Sequence, residues 1–372
     1  MKIKLRSRIR KFKKMSYVET KDGPGLEGED ISLDCSLGVN PLGPLPEADR
    51  AAEEIDWQRV GDYPDPEYPE LRELVRCCWK GIFQPDEEQI FIGSGAAGLL
   101  ERVLKLFVEK DRVVFGFRPQ FPEIYNFVKI LGGKYDWISL AADGFEFEGE
   151  KFLESIRPGH DLIFIDNPNN PSGQIIDIDL LDRVAARAAE EKIPVIIDEA
   201  YGGFMSRDNS ALQLLEDYEN LLVIRSLSKG FGLANLRLGY LVTSKTIAQY
   251  YRQINLSPFT CPDIIRPLWE KALTDRDYLA MSREKITRSK SRLIKEIEKE
   301  EKFDLAATDA EVPILLLGAK NDINLYREFR KRGIKTAPGD QFPGLDRSFV
   351  RIRTPVKDEN VDKLLTTIKK II

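Results

Sequence analysis

Four short segments supply the side chains that could do chemistry, and they follow one another along the chain. They are residues 167–173 (NPNNPSG), residues 198–201 (DEAY), residues 226–229 (SLSK) and Arg237, eight residues beyond the lysine. Each follows a predicted strand, so we expect all four at the carboxyl edge of one sheet, where open α/β sheets bind ligands. The segments therefore predict a ligand site that combines an amine, carboxylates, a phenol and a guanidinium group.

A glycine-rich turn at residues 93–98 (GSGAAG) follows a predicted strand and opens a predicted helix. It matches the GxGxxG fingerprint of dinucleotide-binding proteins, and it is the only basis for the hypothesis of a nicotinamide-dependent oxidoreductase. That fingerprint needs an acidic residue at the end of the next strand, which here ends in Gly116-Phe117-Arg118. The property that remains is phosphate binding, because small residues at a helix N-terminus expose backbone N–H groups.

Histidine and cysteine chemistry are both restricted in this sequence. The 372 residues include one histidine, His160, in a predicted turn before the strand at 162–166. We therefore expect acid–base chemistry on another residue type, since any triad or histidine-rich metal site would have to use this residue. The four cysteines show no CxxC spacing, which predicts a reducing compartment without a metal site or a disulfide framework.

The charge is unevenly distributed. Residues 1–14 contain eight basic side chains and no acidic one, which leaves 48 basic against 61 acidic residues in the remainder. An acidic body disfavours nucleic acid as the main partner, and no apolar run is long enough to predict a membrane helix. We expect residues 1–14 to be a tail that is dispensable for catalysis, and Met15 is an alternative start.

Apolar runs alternate with amphipathic stretches over most of the chain. Predicted strands occupy residues 89–92, 112–115, 162–166, 194–198, 221–225 and 239–242, and predicted helices occupy 98–108, 123–131, 179–191 and 264–273. This alternation predicts an α/β fold with a mostly parallel sheet covered by helices on both faces. We divide the chain into an N-terminal arm (1–32), a linker or N-terminal part of the small domain (33–60), a large domain (61–250) and a small α+β domain (251–372).

The four segments, in this order and spacing, strongly resemble the fold-type I pyridoxal-phosphate enzymes, specifically the class I/II aminotransferases. The resemblance is closest to the histidinol-phosphate aminotransferase branch, and it spans the chain from about Leu33 to the C-terminus. It implies pyridoxal 5'-phosphate as cofactor, with an amino acid and a 2-oxo acid as substrates. It also implies a cytoplasmic homodimer with shared active sites, with no nucleic acid or membrane as partner.

The resemblance implies a role for each residue around the cofactor. Lys229 forms the Schiff base and then moves a proton at the substrate α-carbon, and Asp198 pairs with the pyridine nitrogen. Tyr201 and Asn170 bind the ring hydroxyl, and Phe121 stacks on the ring. The phosphate is held by side chains and by backbone at a helix N-terminus, namely Ser226, Ser228, Arg237, Gly95, Ala96 and Ala97.

Three further positions follow from the same resemblance. Asn40, in residues 38–44 (GVNPLGP), aligns with a loop on the substrate side. Tyr63 aligns with a tyrosine that reaches the cofactor phosphate of the partner subunit. Arg351 aligns with the arginine that binds the substrate carboxylate, for which a guanidinium fork is suited, and Arg353 is retained as the alternative.

The chain departs from the histidinol-phosphate branch at one position. Ala337 stands about where an arginine that holds a substrate phosphate is expected, although Lys335 could replace its charge. Residues 343–346 (PGLD) are shared with the threonine-phosphate decarboxylases, so decarboxylation or elimination with the same cofactor is an alternative. A non-enzymatic regulator is a further alternative, but the 32 residues before Leu33 are too few for an added DNA-binding domain.

Overall fold

The computed structural model describes residues 3–4, 6–10, 12–17, 30–140 and 144–371. Its strands are β1 (Leu33–Asp34), β2 (Ile90–Ser94), β3 (Val113–Arg118), β4 (Lys134–Ser139), β5 (Leu162–Asp166), β6 (Val195–Glu199), β7 (Leu221–Ser226), β8 (Leu238–Thr243), β9 (Phe303–Leu305), β10 (Ile314–Ala319), β11 (Ile334–Lys335), β12 (Ala337–Pro338) and β13 (Phe349–Arg353). Its helices are α1 (Ser7–Arg10), α2 (Ala48–Glu53), α3 (Pro69–Trp79), α4 (Gly95–Phe107), α5 (Pro122–Leu131), α6 (Gly149–Ser155), α7 (Ile178–Glu190), α8 (Lys245–Ile254), α9 (Arg266–Thr274), α10 (Arg276–Ile297), α11 (Leu325–Arg330) and α12 (Asp358–Lys370).

In the described part of the chain, seven strands form the central sheet in the order β2-β8-β7-β6-β5-β3-β4. Strands β3 to β7 run parallel, and β8 runs antiparallel to both of its neighbours. The predicted α/β fold with a mostly parallel sheet is therefore confirmed. The sequence analysis missed β4, because this edge strand is largely exposed and mixes charged and apolar residues instead of forming an apolar run.

The central strands read as continuous apolar runs because helices cover both faces of the sheet. Alternate residues of β5 enter two different cores: Ile163 and Ile165 pack on one face, whereas Leu162 and Phe164 pack on the other. Helix α4 contributes its buried face to the second core, and α7 contributes to the first. The two layers fix the strand ends, which position the chemical segments.

The C-terminal part of the chain forms a four-stranded antiparallel sheet in the order β12-β13-β10-β9. A third core, which includes residues of α10 and α12, packs on it. Strand β1 pairs in parallel with β11, so residues 33–34 join this C-terminal unit. Helix α9 instead packs in the core of the central sheet, through Leu268 and Trp269. The domain boundaries given above stay a prediction.

The N-terminal segment lies across the rest of the molecule. The side chain of Asn126 in α5 exchanges two hydrogen bonds with the backbone of Met15, at 3.1 and 2.8 Å. The backbone N–H of Ser16 donates to Oε1 of Gln341 at 3.0 Å, and Arg8 donates to the carbonyl of Leu131. Residues 15–17 therefore bridge the central-sheet unit and the C-terminal unit. Of the part of the predicted arm (1–32) that follows Tyr17, residues 18–29 lie outside the described residues.

No described helix has both the length and the apolar character that a membrane crossing requires.

Candidate active site

A cavity of about 220 Å³ opens at the carboxyl edge of the central sheet. It is lined by Tyr17, Ala96, Ala97, Phe121, Glu123, Asp166, Pro168, Asn170, Asp198, Ala200, Tyr201, Ser226, Ser228, Lys229, Ala234 and Arg237. Each of the four segments defined from the sequence contributes to this lining. The parallel strands β5, β6 and β7 bring the segments together, because their carboxyl ends meet at one edge.

Lys229 lies just beyond β7, in the residues that follow Ser226. Burial, together with the neighbouring cations Arg351 and Arg237, lowers the pKa of its amine to about 8. The Nζ atom lies 5.6 Å from the ring centroid of Tyr201. An amine with this pKa is partly unprotonated near neutral pH, so it can act as a nucleophile and as a base.

Asp198 lies near the carboxyl end of β6 and is buried. Burial, together with the nearby Asp166, raises the pKa of this carboxyl to about 7. Its Oδ1 atom accepts a hydrogen bond from the backbone of Ala200 at 3.0 Å. A cationic N–H partner in the cavity would favour the charged carboxylate over the neutral acid.

The hydroxyl of Tyr201 is buried, and none of the described residues forms a hydrogen bond with it. A Cβ atom added to Gly38 would lie 1.8 Å from this hydroxyl oxygen, so any larger residue at position 38 would displace the ring of Tyr201. Burial raises the pKa of the Tyr201 phenol, which stays neutral at physiological pH. A buried hydroxyl without a partner indicates that a ligand completes its hydrogen bonding.

Asp166, at the carboxyl end of β5, organises the residues around Asn170. Its carboxylate accepts from the backbone of Asn170 at 2.9 Å, from Nδ2 of Asn169 at 3.1 Å and from the backbone of Phe121 at 3.2 Å. Burial raises its pKa to about 6. The sequence analysis did not single out Asp166, although an acidic residue that ends a buried strand was an available signal.

The residues predicted to hold a phosphate lie together. Gly95 opens α4 with a φ of 71°, and a Cβ atom at that position would lie 2.6 Å from Nη2 of Arg237. Arg237 donates to the hydroxyl of Ser228 at 3.3 Å. The hydroxyl of Ser226 accepts from the backbone of Ser228 at 3.1 Å. Small residues, hydroxyls and one guanidinium group thus surround a helix N-terminus, which is an anion-binding arrangement.

Arg351 lies in the middle of β13 and is fully buried. It donates to Oδ1 of Asn170 at 2.8 Å and to the carbonyl of Ser36, whereas its buried Nε atom has no hydrogen-bond partner within the described ranges. The ring of Tyr17 covers it, with 4.3 Å between the ring centroid and Cζ. Arg353 lies at the partly exposed end of the strand and donates to the carbonyl of Asp34. Of the two arginines, Arg351 is the buried one, and its role as the ligand of the substrate carboxylate stays a prediction.

Four predicted site residues do not themselves line this cavity: Asn40, Tyr63, Gly95 and Arg351. Asn40 is buried, and its Nδ2 atom donates to the carbonyl of Gly230 at 2.7 Å and to the hydroxyl of Ser282 at 2.9 Å. Its backbone N–H donates to the carbonyl of Lys229 at 3.1 Å, so Asn40 supports the lysine loop. Tyr63 is 82% exposed, and its ring contacts that of Phe259 at 5.1 Å between centroids.

Besides Asp166, the cavity contains two further charged or aromatic residues that local sequence pattern did not predict, Tyr17 and Glu123. Tyr17 falls in the segment that was interpreted as an arm, and no local pattern connects it to a site. Glu123 is the second residue of α5 and lies two positions after Phe121. His160, in contrast, lies away from this cavity, where it stacks on Phe115 at 4.4 Å and contacts Asp136 at 3.2 Å.

The residues present fit pyridoxal phosphate. One cavity brings together four groups that this cofactor needs. They are the partnerless hydroxyl of Tyr201, the buried carboxyl of Asp198, the amine of Lys229 and the anion-binding N-terminus of α4. Together with the helix-covered parallel sheet, they define the class of pyridoxal-phosphate enzymes.

The chain belongs to the class I and II aminotransferase family, whose family model matches residues 31–368. It is a pyridoxal-phosphate-dependent aminotransferase.

Individual relatives and a solved structure are similar to this chain over most of its length. The chain is 29% identical over 328 residues to a Caldanaerobacter subterraneus protein named "Putative threonine-phosphate decarboxylase", over 87% of this chain and 86% of that protein. It is 28% identical over 357 residues to the histidinol-phosphate aminotransferase of Methanocaldococcus jannaschii, over 94% and 91% of the two chains. The crystal structure of the histidinol-phosphate aminotransferase from Clostridium acetobutylicum superposes with a TM-score of 0.80 and 26% identity, over 91% of this chain and 98% of that one.

Proposed function

We propose that this aminotransferase moves the amino group of an amino acid to a 2-oxo acid in the cavity around Lys229. One observation supports the proposal above all: Lys229, Asp198 and Tyr201 line a single cavity beside the Ser228–Arg237 pair. Bound pyridoxal phosphate supplies a protonated ring that withdraws electrons from the substrate α-carbon and makes its proton acidic.

The residues of this chain would hold the cofactor by complementary charge and shape. Asp198 would accept from the ring nitrogen, since a cationic partner favours its charged form. Tyr201 and Asn170 would reach the ring hydroxyl, and Phe121 would cover the ring face. The phosphate would be held by the anion-binding residues described above, namely Gly95, Ala96, Ala97, Ser226, Ser228 and Arg237.

Lys229 would be the group that moves protons. Its amine has a pKa lowered to about 8, so it can take the proton from the substrate α-carbon and return it at the next step. Arg351 would bind the substrate carboxylate through its fork and so orient the Cα–H bond. The guanidinium group is fixed by Asn170 and Ser36, which lowers the entropy cost of binding.

We further propose a homodimer in which Tyr63 completes the site of the partner subunit. Tyr63 and Leu256 are 82% and 90% exposed, and Trp57, Val60 and Phe259 are other exposed apolar residues in the same two segments. Two of them, Tyr63 and Phe259, are in contact, and exposed apolar residues that cluster are typical of protein interfaces. A reducing compartment such as the cytoplasm would suit the four free cysteines.

Two observations point to different amino donors, one phosphorylated and one with a carboxylate. Relatives named histidinol-phosphate aminotransferases support an amino alcohol phosphate, which would place its phosphate on Arg351. Ala337, buried and paired with Arg351 across β12 and β13, adds no second cation at this position. We therefore propose an amino acid carboxylate as the ordinary ligand of Arg351.

The test uses protein purified with pyridoxal phosphate. We expect an absorbance band from the bound cofactor, a spectral change when an amino acid is added, and recovery of the first spectrum with 2-oxoglutarate. Lys229→Ala should lower turnover at least about 1000-fold. The exposed Lys245→Ala serves as the matched control and should keep full turnover. Full turnover by Lys229→Ala would contradict the proposal.

A second candidate is decarboxylation with the same cofactor, which the relative named as a threonine-phosphate decarboxylase favours. This reaction would release carbon dioxide without any 2-oxo acid. The same preparation therefore distinguishes the two, because a transamination requires the 2-oxo acid for a second turnover.

A further inference from the structure

Five charged side chains line the cavity in the described part of the chain: Glu123, Asp166, Asp198, Lys229 and Arg237. Asp166 is used internally, since it accepts hydrogen bonds from the segment around Asn170 and from Phe121. Asp198, Lys229 and Arg237 have roles in cofactor binding under the proposed function. Glu123 is then the one charge of this lining that neither the fold nor the cofactor uses.

The Oε2 atom of Glu123 is shielded from solvent and meets no hydrogen-bond donor among the described residues. Burial raises the pKa of this carboxyl, while a hydrogen bond from its own backbone N–H and the cations Lys14, Arg351 and Lys229 lower it less. A shielded carboxylate oxygen without a donor is costly, and a ligand group that donates to it would remove that cost.

Glu123 lines the cavity together with Tyr17, and the ring of Tyr17 in turn covers Arg351. Glu123 also contributes to raising the pKa of the Tyr17 phenol, after the larger effect of burial. A substrate whose carboxylate is bound by Arg351 would therefore extend its side chain toward Glu123.

We propose that Glu123 selects substrates whose side chain ends in a hydrogen-bond-donating nitrogen cation, such as an ammonium, guanidinium or imidazolium group. The inference rests on the proposed function, because it assumes that Arg351 binds the carboxylate of an amino acid. The cation would donate to the partnerless Oε2 atom, and the resulting ion pair would be shielded from water, where charged hydrogen bonds are strongest.

A first-turn glutamate also stabilises its helix by interacting with the macrodipole. That structural role would not depend on which substrate is present. Substrate selectivity is therefore the readout that separates the two roles.

The experiment compares L-lysine, L-arginine and L-histidine with the apolar L-norleucine and L-phenylalanine as amino donors to the pyridoxal-phosphate enzyme. We expect at least one of the three cationic donors to exceed L-norleucine in kcat/KM by 10-fold or more. Glu123→Gln should lower kcat/KM for that donor by about 10- to 100-fold, mainly through KM, and should change that for L-norleucine by less than about 3-fold. The exposed Glu190→Gln is the matched control and should leave both unchanged.

Equal use of cationic and apolar donors by the wild-type enzyme would overturn the inference, as would an equal loss for both in Glu123→Gln. Thermal unfolding of each variant checks that the fold is intact. The cofactor band and turnover with any amino donor test the proposed function separately. An enzyme that transaminates L-norleucine as well as L-lysine would retain the proposed function and contradict only the role of Glu123.

Discussion

Tyr17 and Arg351 lie at opposite ends of the chain, yet the ring of Tyr17 covers the guanidinium group of Arg351 at 4.3 Å. The same ring stacks on Phe342, with 5.1 Å between centroids and 6° between planes. The hydrogen bonds of Met15 and Ser16 fix the segment on which Tyr17 lies. A segment that precedes the first strand of the fold thus forms one wall of the cavity.

Two truncations that differ by three residues test this wall. Deleting residues 1–14 should leave kcat/KM within about 3-fold, because the hydrogen bonds of Met15 to Asn126 remain. Deleting residues 1–17 should lower kcat/KM about 10-fold or more, since a shielded cation–π contact contributes about 1–2 kcal/mol. Steady-state kinetics with one amino donor measures both. Tyr17→Phe, which keeps the ring, is the control, and equal activity of the two truncations would contradict the prediction.

Asp198 should make the cofactor-free protein less stable at high pH. Its folded pKa is raised to about 7, whereas an unfolded aspartate titrates near pH 4. Between these values the folded state binds more protons, so the free energy of unfolding falls as the pH rises from about 4 to 7. Asp198→Asn removes this loss. The free energy of unfolding of the variant minus that of the wild type should therefore be about 1–3 kcal/mol larger at pH 8 than at pH 5.

Urea denaturation of the cofactor-free proteins at the two pH values measures the effect of Asp198→Asn. The exposed Asp208→Asn is the control and should show no such dependence. The same Asp198→Asn variant should bind pyridoxal phosphate more weakly, because it loses the charge that pairs with the ring nitrogen. A stability difference that is the same at both pH values would count against the buried carboxyl as the cause.

Gly38 should be indispensable because of Tyr201. A Cβ atom at position 38 would lie 1.8 Å from the tyrosine hydroxyl, so Gly38→Ala must displace that ring. We expect Gly38→Ala to weaken cofactor affinity about 10-fold or more, as titrated by the cofactor absorbance. Gly38→Ala should also lower the free energy of unfolding. Adding Tyr201→Phe to that variant removes the clashing oxygen and should restore part of this free energy. Additive losses of stability in the double variant would show that the two positions are independent.

Glu199 should stabilise the strand that carries Asp198. It is fully buried and accepts from Arg225 at 2.5 Å, from the hydroxyl of Ser210 at 2.7 Å and from the backbone of Ala211 at 2.7 Å. Glu199→Gln leaves Arg225 without its counter-charge and should lower the free energy of unfolding by about 3–5 kcal/mol. Urea denaturation measures the change. The exposed pair of Glu150 and Arg183 supplies the control, since Glu150→Gln should cost less than about 1 kcal/mol.

Much of the fold followed from local pattern. The predicted strand at residues 162–166 coincides with β5, β6 begins and ends one residue later than predicted, and β7 extends one residue beyond its predicted end. These strands are buried on both faces, so their apolar runs are unambiguous. Strand β4 lies at the sheet edge and lacks such a run, which is why local pattern missed it.

The sequence by itself determined the chemical set. The lysine, the carboxylate, the phenol and most of the residues proposed to hold a phosphate lie at or just beyond the ends of strands of one mostly parallel sheet, so their meeting at its carboxyl edge is a consequence of local order. The choice between Arg351 and Arg353 was different, because residues two apart share a strand face and the alternation cannot separate them. Only the packing of β13 against Asn170 and Ser36 buried Arg351 and left Arg353 at the margin. Tertiary packing also places Tyr17 and Glu123 in the cavity. Their neighbours there come from distant parts of the chain, so no local sequence pattern predicts their position.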